Sequence, residues 1–332
     1  MAQTQLYLRK AQVHLIVESI QDTLEVPVVG SSILAQDVTV SYDTTNFAPN
    51  YIRADFQKMD EIPGPISGTV AFSVPLKGSA VADTAPEWGA CMQACGCKET
   101  VTATTGPVLY EPVNTFDGAG GNPGISYTVA LLVNGTRHAI IGAFGTFTIT
   151  GETTGPAMIN FTFTGNYTAH ADDALLVISP AYDASIAPAF RGGAPSVTFG
   201  GAYAVPGFNS FSFDLGNVVT LLPDVASATG FDGARITDRK STFSFSGEMV
   251  LQATKDFFAA QRAGTSFTFT TGLIGSTDWN QYTFAVNRAI FQNIAFEDRE
   301  GIHGMTVTAA VSSLASDIAD TNPEWELNIT KT

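Results

Sequence analysis

Residues Gly68–Thr100 read GTVAFSVPLKGSAVADTAPEWGACMQACGCKET. In the first part, Val70, Phe72 and Val74 alternate with small or polar residues, and this period of two predicts a half-buried strand. The second part carries an apolar stripe at helical spacing, i, i+3, i+4 and i+7, made of Trp88, Cys91, Met92 and Cys95. A strand followed by a short amphipathic helix is therefore the first unit that the sequence predicts.

The ends of this helix have their own signals. Thr84 and Glu87 form a T-x-x-E capping box, and Pro86 falls in the first turn. Gly96 stands where a left-handed residue commonly ends a helix, which places Cys97 one position further on. We therefore expect a short helix that ends at Gly96 and packs its striped face on a sheet.

All three cysteines of the chain lie between residues 91 and 97. A structural zinc site needs four ligands, usually in two spaced pairs, and these cysteines are separated by three residues and by one. No C-x-x-C is present, and a catalytic cysteine would need a neighbouring base for which the sequence has no local signature. Possible nitrogen ligands are remote in sequence: His14, His138, His170 and His303. We predict that the cysteines act as small buried apolar residues, with no metal and no cofactor.

The composition extends the strand prediction to the whole chain. The 332 residues are 45% hydrophobic and 14% charged, threonine, phenylalanine, valine and glycine are abundant, and no long run has a helical pattern. This profile indicates an all-β protein rich in turns. The formal net charge of −15 argues against a protein that binds DNA, because DNA affinity depends on a surplus of lysine and arginine.

Further strands are predicted along the first half. Residues 1–50 suggest an extended N-terminal arm, within which Ile33–Thr44 is a strand. Gly106–Gly124 is predicted to be a mobile loop. Ile125–Ile141 reads as a hairpin turning at Asn134-Gly135, and a second hairpin joins strands at 146–150 and 158–164.

The second half repeats this order. Ser241–Val250 is again an alternating strand, and Thr254–Gly264 is again a short helix, with Thr254 as its cap and Gly264 as its end. We interpret the chain as a duplication with a boundary inside Ala171–Pro195. The predicted domains are 1–180, an N-terminal arm plus a first β domain, and 181–332, a second β domain.

No motif for catalysis stands out. The phosphate-binding G-x-x-x-x-G-K-[ST], the G-x-S-x-G and the H-E-x-x-H patterns are all absent. The glycine-rich Gly118–Gly124 has Pro123 at the last glycine position of a dinucleotide fingerprint. Asp238 or Glu297 could act in catalysis beside a neighbouring arginine, but salt bridges at strand ends explain them more simply. No catalytic, cofactor-binding or metal-binding residue is predicted, and we expect a structural protein or a binder rather than an enzyme.

The start of the chain has no apolar core of a signal peptide, and no stretch is long and apolar enough to span a membrane. We therefore expect a protein made in a cytoplasm, with reduced thiols and no membrane partner. The odd number of cysteines agrees with this expectation.

Together these motifs resemble the major tail tube proteins of tailed bacteriophages. Those proteins carry a P-x-W-x-x-x-L-x-A-C-G-x-x-E helix, and the matching positions here are Pro86, Trp88, Ala94, Cys95, Gly96 and Glu99. An earlier family segment is matched by Glu18 and by "ILAQDV" (33–38), although "SIQDT" replaces the usual Y-G-T. Pro223–Met249 looks like a second-half segment of the same family.

The resemblance implies a β-sandwich or open barrel with a short flanking helix. It implies a structural virion protein, made in the host cytoplasm, whose rings join their sheets into an inner barrel and stack into a hollow tail tube. Genomic DNA would pass through the lumen without specific binding, and the implied partners are the tape measure, tail terminator and distal tail proteins. If the chain holds two tube domains, three copies would close a ring with pseudo-six-fold symmetry. The absence of a recognisable sheath-binding signature favours a siphophage-type tail.

Two other functions compete with this one. A virion module that binds carbohydrate or a receptor would need exposed aromatic residues in a groove, for which Trp279 and Trp325 are the candidates. A hydrolase on a β scaffold would need a catalytic constellation that the sequence does not provide. The N-terminal arm and Gly118–Gly124 are the segments that we expect to cover the joint between stacked rings.

Overall fold

The computed structural model describes residues 10–103, 107–177, 182, 185–313 and 323–330, and these contain the following elements. The first half holds β1 Ala11–Val17, β2 Ser32–Ile33, β3 Gln36–Phe47, β4 Ile62–Pro75, α1 Gly89–Ala94, β5 Cys97–Val101, β6 Val108–Pro112, β7 Tyr127–Val133, β8 Gly135–Glu152, β9 Met158–Tyr167 and β10 Ala171–Asp173. The second half holds β11 Ser196–Thr198, β12 Ala202–Ala204, β13 Ser210–Asp214, β14 Asn217–Pro223, β15 Phe231–Arg239, β16 Thr242–Glu248, α2 Phe257–Ala263, β17 Ser266–Thr270, β18 Gln281–Arg299, β19 Ile302–Val311 and β20 Trp325–Thr330.

The prediction of an all-β protein with short helices is confirmed, and the described strands close no barrel within the chain. Neither helix of the described residues is long and apolar enough to cross a membrane. The boundary predicted at residues 180 and 181 lies outside the described residues.

Eight strands form one continuous antiparallel run that includes both halves of the chain. Their order is β3–β4–β9–β8–β13–β16–β19–β18. The halves meet where Thr148–Glu152 of β8 pairs with Ser210–Asp214 of β13. The sheet therefore passes from one half to the other without an edge.

The remaining strands extend the two long strands of this run. β7 and then β1 follow the first part of β8, while β17 and then β11 follow the middle of β18. The last strand, β20, lies between β18 and β6, and so hydrogen-bonds to both halves. As a result, β8 and β18 each contribute to two regions of sheet.

The pairing order of the two halves is the same. β4 pairs with β9 and β9 with β8, as β16 pairs with β19 and β19 with β18. A short helix follows β4, and another follows β16. β8 has one register shift against β9, between Ile141 and Phe144, and β18 has one against β19, between Phe291 and Asn293.

Aromatic side chains fill the core between the layers. The rings of Phe243 in β16 and Phe269 in β17 lie 4.6 Å apart, although these two strands do not hydrogen-bond to each other. The strands must therefore face each other across a core, as in a sandwich. Similarly, Trp325 of β20 contacts Phe147 of the first half and Phe213 and Phe284 of the second.

The predicted stripe of α1 is confirmed, but the predicted start of the helix is wrong. Trp88, Cys91, Met92 and Cys95 are all fully buried, and Gly96 has the expected positive φ of 81°. The helix begins at Gly89 without a side-chain cap. Thr84 donates to the carbonyl of Ala82, and Glu87 forms a buried ion pair with Lys77 (3.6 Å), so neither residue serves a capping box.

In the second helix the prediction errs in the same way. Gly264 ends α2 with a left-handed φ of 62°, as predicted, but the cap is Asp256 rather than Thr254. The Asp256 carboxylate accepts from the Ala259 amide at 2.8 Å. A capping side chain must accept from the backbone amide three residues later in the chain. Whether Thr254 or Asp256 can make that hydrogen bond depends on the path of the backbone.

The prediction of a loop over residues 106–124 is partly wrong, since Val108–Pro112 is a buried strand. Its partners are β5 and the distant β20, and long-range pairing of this kind has no local signal. The loop that follows is closed by hydrogen bonds, with the Gly118 amide donating to Pro123 and the Glu99 amide to Gly121. Gly106 lies outside the described residues.

The extended N-terminal segment is built into the sheets from Ala11 onward. β1 pairs with β7 along its whole length, and β3 pairs with β4. The predicted turn at Asn134-Gly135 is present, with positive φ at both residues. The two strands predicted on either side of Gly142 are one strand, β8, which bends at that glycine (φ 56°).

The packing role of the cysteines can be tested by substitution. We expect Cys91→Ala and Cys95→Ala each to lower the free energy of unfolding by about 1–2 kcal/mol, because each removes a buried atom from a close-packed core. Chemical denaturation monitored by tryptophan fluorescence measures this effect. A loss of the folded state when the wild-type protein is treated with a chelator would contradict a packing role.

Candidate functional site

One face of the eight-strand run carries small polar residues. Residues opposite each other in neighbouring strands point to the same side of a sheet, so the register defines this face. Its middle positions, from β3 to β18, are Thr39, Ser41 and Asp43; Thr69, Ala71 and Ser73; Asn160, Thr162 and Thr164; Thr146, Thr148 and Thr150; Ser210, Ser212 and Asp214; Thr242, Ser244 and Ser246; Thr306, Thr308 and Ala310; Ala295 and Glu297. We call this surface the polar face.

The polar face lies on the side of the sheet opposite the core. In the six inner strands, β4 to β19, its residues alternate with buried apolar ones, for example Val70, Phe72 and Val74 in β4. Because side chains alternate along a strand, the phenylalanines that fill the core oblige the serines and threonines to face outward. The polar face is therefore as continuous as the sheet itself.

Hydrogen bonds across strands hold the side chains of this face in place. The Ser73 hydroxyl donates to the side chain of Asn160 at 2.6 Å. Ser246 and Thr306 donate to the Glu297 carboxylate at 2.7 and 3.1 Å. These two bonds, that of Ser246 first, hold the pKa of Glu297 below its usual range, so that its negative charge is retained.

The charges at the middle of the polar face have one sign. Its middle positions include Asp43, Asp214 and Glu297 but no lysine or arginine. Arg299 follows at the end of β18, where its guanidinium donates to the carbonyl of Gly207. A polyanion would find no cation to bind at the middle of this face.

Two strand edges of the run are open in the described chain. β3 pairs with β4 on one side, and no described strand lies on the other. β18 is flanked by β17 only as far as Ile290, so that residues 291–299 have a described strand, β19, on one side alone. Exposed edges of this length favour pairing with another chain.

The hairpin formed by residues 44–66, which we call hairpin A, exposes large apolar side chains. Ile52 and Phe56 are exposed as fully as in an extended peptide, at 105% and 110%. Phe47, Tyr51 and Ile62 are more than half exposed. Monomeric proteins rarely present such a patch, which is typical of a binding surface.

The predicted cysteine cluster has no free thiol at the surface. Cys91, Cys95 and Cys97 are unbonded to one another and fully buried. Burial raises the pKa of Cys91 and Cys95 well above the usual value and that of Cys97 to about 12. Over the described ranges, no three residues of His, Cys, Asp or Glu come together as metal ligands.

The two acidic residues considered for catalysis both have partners that hold their carboxylates in place. Asp238 forms an exposed ion pair with Lys240 (3.1 Å), and Glu297 is held by two hydroxyls on the polar face. A serine–histidine contact joins Ser31 to His14 at 3.1 Å, but the Ser31 hydroxyl donates to the carbonyl of Val28 and closes a turn.

The tryptophans proposed for ligand binding are both in the interior. Trp325 is completely buried, and Trp279 is 8% exposed. Neither can stack on a ligand without unpacking the core. This observation counts against the carbohydrate- or receptor-binding alternative.

Sequence reasoning missed the polar face and hairpin A. The signal for the polar face was present in the serine and threonine alternation of "TFTIT" (146–150) and "STFSFSG" (241–247). For hairpin A, the aromatic residues between two strand segments were the available signal. What the sequence lacked was the strand order, without which separate alternations cannot be assigned to one surface.

Comparison with known proteins adds one match. A family model described as phage tail tube protein matches residues 9–302, which is most of the chain. A search of curated proteins finds no match.

Proposed function

Because the chain belongs to the phage tail tube protein family, we propose that it is the major subunit of a hollow tail tube through which genomic DNA is ejected. Membership of this family makes the chain a structural virion protein. The observation that carries the finer proposal is the polar face, one continuous sheet surface that is rich in serine and threonine and free of basic residues at its middle. In a tube, this surface would line the lumen.

We propose that the chain consists of two tandem tube domains, residues 1–180 and 181–332. The equal pairing order of β4–β9–β8 and β16–β19–β18 supports a duplication, as does the helix after the first strand of each set. The eight-strand run then consists of two four-strand units joined at β8 and β13.

Three copies would form one ring with pseudo-six-fold symmetry. Three runs of eight strands give 24 strands. With strands about 4.8 Å apart and tilted by about 40°, opposite backbones of such a barrel would be roughly 45–50 Å apart. This leaves a wide aqueous channel, which stacked rings would extend into a tube.

The chemistry of the polar face suits the passage of DNA. Basic side chains bind phosphates by releasing counterions, and the middle of this face has none. Its carboxylates, such as Glu297, repel phosphates over a distance of about 8–10 Å at physiological ionic strength. DNA would therefore pass without being retained.

The other proposed partners follow from this role. A tape measure protein would occupy the lumen before ejection, and tail terminator and distal tail proteins would cap the two ends. The N-terminal segment and the Gly118–Gly124 loop are proposed to contribute to contacts between stacked rings. We propose no catalytic activity and no cofactor.

Electron microscopy of the purified protein tests the central proposal. We expect hollow tubes built of rings, with three chains in each ring by mass and symmetry. Six chains per ring would reject the tandem arrangement. A protein that stays monomeric under all assembly conditions would reject the tube role itself.

A lysine on the polar face should convert the lumen into a DNA-binding surface. We expect tubes of Thr162→Lys to retain short duplex DNA, with an affinity that falls roughly tenfold between 50 and 200 mM salt if about two phosphates are neutralised. Fluorescence measurements of bound duplex on purified tubes give this value. Thr162→Gln, which has a neutral side chain of similar reach, is the control, and equal binding by both variants would place this face away from the lumen.

A further inference from the structure

The two halves of the chain meet in one antiparallel strand pair. Within the chain, β8 and β13 pair antiparallel, with Ile149 opposite Phe213. If the halves are copies, the strand equivalent to β8 in the second half should pair antiparallel with the strand equivalent to β13 in the first half of another copy. Both equivalents can be identified from the strand registers.

The equivalent of β8 is β18, since each is followed by a turn glycine, Gly155 or Gly301, and a partner strand. Aligning these glycines matches Phe161 and Ile159 of β9 with Val307 and Met305 of β19. Phe147 and Ile149 of β8 stand opposite Phe161 and Ile159 of β9. In the second half, Ile294 and Phe296 of β18 stand opposite Val307 and Met305 of β19. Phe296 therefore occupies the position of Ile149. It is 65% exposed, although it belongs to the face that is buried in the first half.

The equivalent of β13 is β3. Phe213 of β13 stands opposite Phe243 of β16, and Val40 of β3 stands opposite Val70 of β4. Both β4 and β16 begin the paired set of their half, and both precede a helix. Val40 therefore occupies the position of Phe213, and the free edge of β3 is the edge that β13 uses against β8.

Hairpin A also has an equivalent, residues 217–239, which we call hairpin B. Hairpin B contains β14 and β15, and it connects β13 to β16 as hairpin A connects β3 to β4. Each loses one residue of register at the matching place, between Thr44 and Asn46 in hairpin A and between Val218 and Val219 in hairpin B. Their tips also match, since Ile52 and Val225 are both fully exposed.

Hairpin B shows what such a hairpin does when a partner half is present. It lies on the first half, where Asn217 donates to the carbonyls of Cys95 and Gly145 at 2.7 and 2.9 Å. Arg239 donates to the carbonyls of Gly96 and Val113 at 3.2 Å. Its base thus rests beside the glycine that ends α1. Hairpin A contacts hairpin B near its base, where the Ile66 amide donates to the carbonyl of Thr229 at 3.1 Å. Its apolar residues Ile52 and Phe56 nevertheless stay exposed.

From these equivalences we infer the contact between neighbouring copies, which rests on the proposed tube function. Val38–Tyr42 of one copy pairs antiparallel with Ile294–Asp298 of the next, with Val40 opposite Phe296 and Ser41 opposite Ala295. Hairpin A lies over the second half of that neighbour, with its base beside the end of α2 at Gly264. The partner is a second copy of this chain.

This one contact would bury both free strand edges and the exposed ring of Phe296. It pairs the free edges of β3 and β18, and it covers the ring of Phe296 with an apolar strand. The polar face continues across it, since Ser41 and Ala295 lie on that face. No other pairing of the two free edges preserves the register of the internal junction.

A cysteine pair tests the register. Directly opposed residues of an antiparallel pair have β-carbons about 4.5–5.5 Å apart, and residues offset by two are about 7–8 Å apart. We expect assembled Ser41→Cys/Ala295→Cys protein to form covalent trimers under mild oxidation, at least fivefold more than Thr39→Cys/Ala295→Cys. The native cysteines are fully buried and should not contribute.

The outcomes separate this inference from the proposed function. Tubes in which the offset pair cross-links as well as the opposed pair, or in which neither does, overturn the register but leave the tube role intact. If the unmodified protein forms no tubes, the tube role fails and the interface fails with it.

A second variant guards against misfolding of the cysteine proteins. Phe296 is exposed in the single chain, so Phe296→Asp should melt within a few degrees of the wild-type monomer yet lose at least tenfold in tube formation, while Phe296→Leu should retain assembly. Normal assembly of Phe296→Asp would overturn the contact.

Discussion

Trp325→Ala is expected to lower the free energy of unfolding by about 3–5 kcal/mol, a large share of the stability of an ordinary domain. Trp325 is fully buried, and its ring contacts Phe147 in the first half and Phe213 and Phe284 in the second, at centroid distances of 5.1–6.2 Å. Alanine would leave a cavity where the two halves meet. Urea denaturation measures the loss.

A matched variant separates packing from hydrogen bonding at this position. The indole nitrogen of Trp325 is buried and finds no hydrogen-bond partner in the described part of the chain. Trp325→Phe should therefore cost much less than Trp325→Ala, because it keeps an aromatic ring and gives up no bond. Val225→Ala, at a fully exposed site, should change stability by less than about 0.5 kcal/mol. Equal losses for the phenylalanine and alanine variants would contradict this account.

Glu18→Ala is expected to have a comparable effect for an electrostatic reason. The buried Glu18 carboxylate accepts from the amides of Asp22 and Gly142, both at 2.8 Å, and from the hydroxyls of Ser126 and Thr128. Alanine would leave these four donors without their acceptor. Since each buried, unsatisfied group costs about 1–3 kcal/mol, we expect a loss of about 3–5 kcal/mol after partial relaxation.

Glu18→Gln separates the effect of the two acceptor oxygens from the effect of side-chain size. The amide nitrogen of glutamine would face two of the donors, so this isosteric change should still destabilise the protein by about 1–3 kcal/mol. Glu25→Gln is the control, because that carboxylate is at the surface and bonds to Ser19. If glutamine at position 18 restored wild-type stability, the four-donor arrangement would be wrong.

The pH dependence of this site has a definite sign. Burial raises the pKa of Glu18 above its usual value, and the hydrogen bonds from Ser126 and Gly142 oppose that effect. A carboxyl with a raised pKa in the folded state favours folding most when it is protonated. Glu18 alone should therefore add stability as the pH falls through its folded-state pKa, in contrast to Glu297, whose lowered pKa makes its contribution disappear on acidification.

Part of the fold could be predicted because the signals are local. The alternation of β4, the apolar stripe of α1 and the turn at Asn134-Gly135 each depend on residues within one element. The same holds for Gly96 and Gly264, whose left-handed conformation ends a helix. Capping was predicted less well, because the choice between Thr254 and Asp256 depends on the path of the backbone.

The sequence by itself determined the alternation of buried and exposed residues in strands such as β4, the ends of both helices at Gly96 and Gly264, and the turn at Asn134-Gly135. Through the helix pattern around Trp88 and Cys95 it also gave the family resemblance. Only the tertiary structure decided which strands are neighbours, so the polar face, the open edges of β3 and β18, and the equivalence of hairpins A and B came from it. The reason is physical. Side-chain periodicity is a property of consecutive residues, whereas strand pairing is selected by contacts between distant segments. Whether a strand edge is left unpaired therefore depends on every other strand of the chain, and the sequence of that one strand cannot show it.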